Sequence, residues 1–270
     1  MFDGVQCPCI LLQLIVTGKP LSTAGMMIED RTRTYTIAME RTVVPENFSF
    51  RMTDEEYCVL EKIKNSIPVC YLANHADFAL GIVTGNNKKF LSAEKTEHSE
   101  MVLKGTDICK YHINPAKQYL RFEPEQFQQV APLEIYRAPE KLLYRFISNQ
   151  LVVAYDDRQM LSLNSCNIVI PKIEGMQIKY ILAILNSSVS QFVYQKEFHS
   201  IKVLRAHMEH IPIPRVGKAI QNEIIAMTEP LIHGMGKEAA ETCQKRLDCR
   251  IMDLFRLSAE EQWIIRHALH

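Results

Sequence analysis

The chain has 270 residues, 47% of them hydrophobic and 23% charged, which is enough apolar material for one large domain with appended elements. Lysine plus arginine and aspartate plus glutamate both number 31, so the net charge is zero and whole-chain basicity, the common mark of a nucleic-acid binder, is absent. Eight scattered cysteines with no CxxC pair exclude a disulfide scaffold and fit reduced thiols in a cytoplasmic protein.

Residues 5–16, VQCPCILLQLIV, form an apolar run that stops at Thr17-Gly18-Lys19-Pro20, which is turn chemistry. Read as a strand, it needs cover on both faces. It either pairs inside its own domain or ends a domain that precedes it. The run is too short to span a membrane, and Asp3 stands where a signal peptide carries basic residues. Residues 1–20 are therefore assigned to residual strands of a preceding domain, and 21–68 to a linker and a helix. That helix opens at the capping box Thr53-Asp54-Glu55-Glu56, continues through Tyr57, Leu60 and Ile63, and is stopped by Pro68.

From Val69 to about Ile170, short apolar runs alternate with Gly, Asn, Asp and Pro, an irregular β-rich pattern. Residues 176–198 return to helical spacing, with Ile178, Ile181, Leu182, Leu185, Val189, Phe192 and Val193 on one stripe. IPIP at 211–214 is an extended connector closing a domain over 69–215. The segment 216–270 reads as helical: Ile220 to Ile232, disturbed at Pro230, then Lys237 to Phe255, then a last helix behind the capping box Ser258-Ala259-Glu260-Glu261. Ala240, Cys243, Leu247, Ile251 and Leu254 lie at heptad-like positions, which fits a local hairpin better than a dimer. The fold class is α+β, a β-rich domain with a central helix and a C-terminal helical bundle or hairpin.

Catalytic patterns are missing. Asn114-Pro115 is followed by Ala116, so no Asn-Pro-Pro-aromatic loop is available to hold an adenine amino group, and Gly81, Gly85 and Gly105 make no GxGxxG turn. His199, His207, Glu209 and His210 match no zinc-protease spacing. Asp156-Asp157 reads as a turn between strands, and neither Cys109 nor Ser165 has an identifiable base. Charge offers one lead: residues 141–215 carry 9 basic and 5 acidic side chains, while the other segments are slightly acidic.

Five ordered elements take the reading further. GIVTGNNKKF (Gly81 to Phe90), LKGTDICKY (Leu103 to Tyr111), KLLYRFISNQLVVAYDD (Lys141 to Asp157), KYILAILNSSVSQFVYQ (Lys179 to Gln195) and HIPIP (His210 to Pro214) resemble successive elements of the TaqI-like C-terminal specificity domains of restriction-modification adenine-N6 DNA methyltransferases. FDGVQCPCILLQL (Phe2 to Leu14) is similar to the last strands of the methyltransferase domain before them. Lys89 departs from the small residue often found at that position.

The resemblance implies a target-recognition domain for double-stranded DNA with no catalysis of its own. S-adenosylmethionine and the flipped adenine belong to a methyltransferase catalytic domain, in cis or in trans, of the parent protein, which a further reading makes a fusion with an endonuclease. Phosphate contacts are expected from Lys88, Lys104, Lys110, Lys141 and Arg145. Base reading is expected from Thr84, Gly85, Asn86, Asn87 and Lys89 and from Asn164, Ser165 and Asn167, with Tyr111 facing outward. The glycines and Asn86 and Asn87 also fit a tight turn with positive φ, and Asp107 fits a turn brace. Two rival readings are a specificity subunit that recruits a catalytic chain through helices 217–269, and an interaction module without DNA affinity. No cofactor or metal is expected in this chain, and no membrane.

Overall fold

Half-buried and exposed side chains alternate in MMIE, and polar and apolar ones in TYTI, and the two segments form a hairpin: β1 (Met26–Glu29) pairs antiparallel with β2 (Thr34–Ile37), Met26 opposite Ile37. The computed structural model describes residues 23–29, 33–41, 52–198 and 200–269, so the apolar run 5–16 lies outside the described residues. The hairpin belongs to a unit spanning Met1–Phe50, and everything below belongs to a second unit, Arg51–His270.

The second unit opens with α1 (Asp54–Asn65). Thr53 Oγ1 accepts from the Glu56 N–H at 3.3 Å, and the Glu56 carboxylate accepts from the Thr53 N–H at 2.9 Å, so the expected capping box is formed. Val59, Leu60 and Ile63 bury the inner face.

The β-rich region follows: β3 (Val69–Cys70), β4 (Ala76–Ala79), a one-turn α2 (Asn87–Phe90), β5 (Leu91–Ser92), β6 (Glu100–Leu103), β7 (Tyr119–Leu120), a one-turn α3 (Leu133–Tyr136), β8 (Lys141–Arg145), β9 (Val153–Asp156), β10 (Leu161–Ser162) and β11 (Cys166–Pro171). One sheet runs β4-β11-β8-β9 and is antiparallel throughout. The other runs β10-β6-β7-β5 and is parallel only between β10 and β6.

The first sheet is a wall between two cores. Leu142, Tyr144, Val153 and Val169 face the helices, while Leu143, Ala154, Cys166 and Ile168 face the second sheet. Burial on both faces is why these strands read as apolar runs rather than as an alternation.

The helical half comprises α4 (Ile178–Asn186), α5 (Ser188–Glu197), a short α6 (Arg205–Glu209), β12 (Ile213–Pro214), α7 (Lys218–Ile232), α8 (Lys237–Leu254) and α9 (Ala259–Ala268). β12 is the proline connector, and it pairs with β3. The single helix expected over 176–198 is two helices. The chain turns at Ser187, whose Oγ accepts from the Ser190 N–H and caps α5. Asn186 explains the break, because its side-chain amide accepts from the Val153 N–H at 3.1 Å and donates to the Val153 carbonyl at 2.8 Å, clamping β9.

The tail joins this core. Ile224 of α7, Leu247, Ile251 and Met252 of α8, and Ile265 of α9 are buried in the cluster that holds α1, α4 and α5. α7 packs on α4 and α8 as a local helical hairpin. No helix among the described residues is long and apolar enough to cross a membrane.

Candidate nucleic-acid interface

Two glycines bring four loops together. A Cβ on Gly81 would lie 2.1 Å from the Leu163 carbonyl oxygen, and one on Gly105 would lie 2.6 Å from that of Ser165. Only glycine permits those approaches. Around them, the Ile82 N–H donates to Ser162 O at 2.7 Å and the Asn164 N–H to Ile82 O at 3.0 Å. Val83 and Gln129 exchange both backbone bonds, at 2.9 and 3.1 Å. The Leu163 N–H donates to Leu103 O at 2.7 Å, and the Gly105 N–H donates to Ser165 Oγ at 3.0 Å. Segments 81–90, 103–107, 126–131 and 162–166 thus form one continuous edge.

The first expected element splits into a buried anchor and an exposed tip. Thr84 is buried and donates to Asn87 Oδ1 at 2.6 Å, whereas Gly85, Asn86, Asn87, Lys88 and Lys89 are exposed. Positive φ falls on Gly85, at 75°, and not on the asparagines as expected; Asn86 has φ −148° and caps α2 by accepting from the Lys89 N–H. Lys89 lies over the Phe90 ring at 4.6 Å. Lys104 is half-buried, and its backbone N–H donates to Asp107 Oδ2 at 2.9 Å, so Asp107 braces the turn. Asn164 is exposed beside this edge, and Ser165 is half-buried as the acceptor for Gly105.

Other expected contacts are turned inward. Lys141 is wholly buried, 2.6 Å from Asp156 Oδ2 and 2.6 Å from Tyr136 O, so the phosphate contact expected of it is corrected to an internal ion pair. Burial pulls its pKa down, partly countered by Asp156. Asn167 is also internal: its Oδ1 accepts from the Gly81 N–H at 3.3 Å, so it holds the loop and cannot face a base. Tyr111 is buried with φ 74° instead of facing outward, pinned by its N–H to Val153 O at 2.7 Å and by the Tyr155 N–H to its own carbonyl at 3.1 Å.

Lys110 lies beneath α8 and donates to Asn186 O at 3.2 Å, a position on the helical side rather than on the loop edge. Burial lowers its pKa, partly offset by Asp248. Arg145 is half-buried, and its guanidinium donates to Gly105 O at 2.9 Å and Ile108 O at 2.5 Å, which rigidifies the Gly105 turn.

Neighbouring residues absent from the sequence reading complete the edge. Gln126, Gln128 and Gln129 are exposed, and a Cβ added at Gly85 would lie 3.4 Å from that of Gln128. Their signal was a neutral amide cluster, QFQQ, lying between Pro124 and Pro132. Beyond Ser165, whose carbonyl accepts from the Phe146 N–H, Ile147 pairs with Lys202. Segments 80–93, 101–106, 126–133, 143–155 and 200–208 contain no acidic residue, while Lys88, Lys89, Lys104, Arg145, Lys202 and Arg205 lie in them. Glu123 and Glu125 border the glutamine segment.

The remaining candidates have structural duties. Asp156 accepts from the Arg158 and Met160 N–H groups, each at 2.9 Å, closing the turn after β9. His207 stacks on Phe198 with centroids 4.5 Å apart and accepts from the Leu204 N–H, and burial lowers its pKa. Among the described residues no group of three or more His, Cys, Asp or Glu side chains is arranged to hold a metal ion.

Comparison with known proteins fits this arrangement. The fold is similar to that of the type IIL restriction-modification enzyme MmeI, solved in complex with DNA: 12% identity, TM-score 0.51, covering 74% of this chain and 35% of that one. The HsdS subunit from Thermoanaerobacter tengcongensis (13% identity, TM-score 0.40, 80% of this chain and 50% of that one) and the type IIG restriction endonuclease BpuSI (11%, 0.47, 80% and 32%) also match. This chain therefore spans about a third to a half of the length of those structures. No curated protein sequence matches it. The family model for the TaqI-like C-terminal specificity domain matches residues 100–213, from β6 to β12, so this part of the chain is similar to the specificity domains of that family.

Proposed function

We propose that the chain recognises double-stranded DNA for a restriction-modification adenine-N6 methyltransferase, and that the chemistry is carried by a catalytic domain joined to it in cis or in trans. The observation that carries this reading is the edge of converging loops 81–90, 103–107, 126–131 and 162–166, whose one acid, Asp107, is buried as the brace of its own turn. Lys88, Lys89 and Lys104 present cations on it, with Lys202 beyond Ser165, and Gln128 and Asn164 present amides suited to paired hydrogen bonds with adenine, while Asn86 and Asn87 keep their amide donors with the Oδ1 atoms holding the loop. A neutral chain with one locally cationic edge holds DNA in one orientation, whereas uniform basicity would not. The MmeI structure, with a similar fold and DNA bound, supports the reading. S-adenosylmethionine binding and base flipping belong to the partner domain, because this chain has neither the Asn-Pro-Pro-aromatic loop nor the glycine-rich turn.

The test is fluorescence anisotropy of the full chain with a pool of random-sequence duplexes of about 30 base pairs across a salt series. Four phosphate contacts predict a slope of log affinity against log salt near about −3.6. A folded chain that binds no duplex at roughly 50 mM salt overturns the proposal.

A further inference from the structure

Arg145, the last residue of β8, lies where two loops of the edge meet, although those loops are 60 residues apart in sequence. Alternation along β8 puts Leu143 and Arg145 on the face turned to the loop layer, and Cys166, opposite Arg145 on β11, belongs to that layer too. There the guanidinium meets carbonyl oxygens. Its Nε donates to Gly105 O at 2.9 Å and its Nη2 to Ile108 O at 2.5 Å, so the fork spans the turn Gly105–Asp107 from its first residue to the residue after it. Among the described residues its partners are these carbonyls and no carboxylate. The stem takes part as well, since a Cβ on Gly105 would lie 3.4 Å from Arg145 Cγ.

The next residue holds the second loop. The Phe146 N–H donates to Ser165 O at 3.0 Å, and Ser165 Oγ accepts from the Gly105 N–H at 3.0 Å. Three segments therefore close a triangle: the arginine fork grips the turn after Lys104, the Phe146 backbone grips the loop after Asn164, and the serine hydroxyl joins turn to loop. The spacing between Lys104 and Asn164 is set by that triangle. A rigid planar guanidinium suits the task, because it bonds two carbonyls at fixed angles where a lysine ammonium is a single mobile point. Base edges are read through directional bonds that need placement within about 0.5 Å, whereas phosphate attraction carries no sequence information. Rigidity at this point bears on discrimination more than on attraction.

We propose that Arg145 is a positioning residue for sequence reading: by fixing the Gly105 turn against the Ser165 loop it sets how sharply the chain separates its target from other DNA. The proposal rests on the DNA-recognition reading above, and it replaces the phosphate contact expected of Arg145 with a role exerted through the two loops.

The experiment uses the full chain, the random pool of duplexes and a duplex that the wild-type chain selects from it. Anisotropy gives the affinity for each, and hence their ratio, for wild type, Arg145→Lys, Arg145→Met and Ser165→Ala. Arg145→Lys keeps the charge and loses the fork, so the ratio should fall about tenfold or more, as it does for Arg145→Met, while the salt slope on the pool stays at the wild-type value. Ser165→Ala opens another side of the triangle. Combined with Arg145→Lys, it should lower the ratio by less than the product of the two separate losses. Amide hydrogen exchange of the free chain supplies a readout without DNA: in Arg145→Lys the Gly105 and Phe146 N–H groups should exchange about tenfold faster or more, and those of α4 as in wild type.

If Arg145→Lys discriminates as wild type does, or if its Gly105 exchange is unchanged, positioning is refuted and DNA recognition stands. A salt slope lowered by about one in Arg145→Met, with Arg145→Lys behaving as wild type, would make Arg145 a phosphate contact and overturn the proposal as well. If the wild-type chain selects no duplex, both readings fall together.

Discussion

Lys141→Met separates two roles that one lysine has been given. In the structure its ammonium lies 2.6 Å from Asp156 Oδ2 and 2.6 Å from Tyr136 O, and neither member of the ion pair is exposed. Methionine fills nearly the same volume but leaves Asp156 without a countercharge. Breaking a buried pair by removing one partner costs about 3–5 kcal/mol. Asp156 keeps two backbone N–H donors, from Arg158 and Met160, so the cost belongs at the lower end, about 3 kcal/mol. For a unit of this size that lowers the melting temperature by roughly 6–12 °C. Adding Asp156→Asn removes the stranded charge and should restore at least half of the loss. The assay pairs thermal denaturation with duplex affinity measured well below the melting range, where Lys141→Met should keep wild-type affinity and salt slope. A variant with unchanged melting and weakened DNA binding would refute the argument and return Lys141 to the phosphate backbone.

Two further expectations follow from close contacts. Gly81→Ala should destabilise the chain by at least about 2 kcal/mol in urea titrations, because the new methyl meets the Leu163 carbonyl and Cys166 O, backbone that cannot swing aside. Near-wild-type stability would show that the loop edge yields more easily than its hydrogen bonds suggest. Asp248→Asn tests the polar site under α8. Burial raises the Asp248 carboxyl above its usual range, partly countered by the Ser188 N–H at 2.8 Å and by Lys110. A raised folded-state pKa means that the stability associated with the protonated form is present below the unfolded value and is lost as pH rises through the folded one. Asparagine does not titrate, so the variant should gain stability relative to wild type as pH rises from about 4, the unfolded value, through the raised folded one. A gap that is constant or shrinks with pH sinks this reading.

Much of the fold was legible because its signals are local. The capping boxes at Thr53 and Ser258 formed as spelled, since each needs only a hydroxyl and a carboxylate three residues apart. The break at Ser187 was hidden because apolar periodicity continues across it; the cause is Asn186 reaching to the backbone of Val153 on another strand. The candidate site divided along the same line. Asn86, Lys88, Lys89 and Asn164 proved exposed, because glycine-rich and asparagine-rich segments make surface turns. Lys141, Asn167 and Tyr111 proved internal, because the partners that claim them, Asp156, Gly81 and Val153, are brought near by sheet register, which no single segment encodes. Gln128 was overlooked for the complementary reason, as QFQQ carries no charge or motif of its own.

The wall formed by β4, β11, β8 and β9 divides the tolerance of the chain to change. Successive residues serve different halves: Leu142 and Val169 lock the helical layer, while Leu143 and Ile168 seat the layer from which the loops spring. A substitution at one position of these strands therefore disturbs one layer while its chain neighbour answers to the other, so packing changes in the loop layer and in the helical frame are separable at the spacing of a single residue.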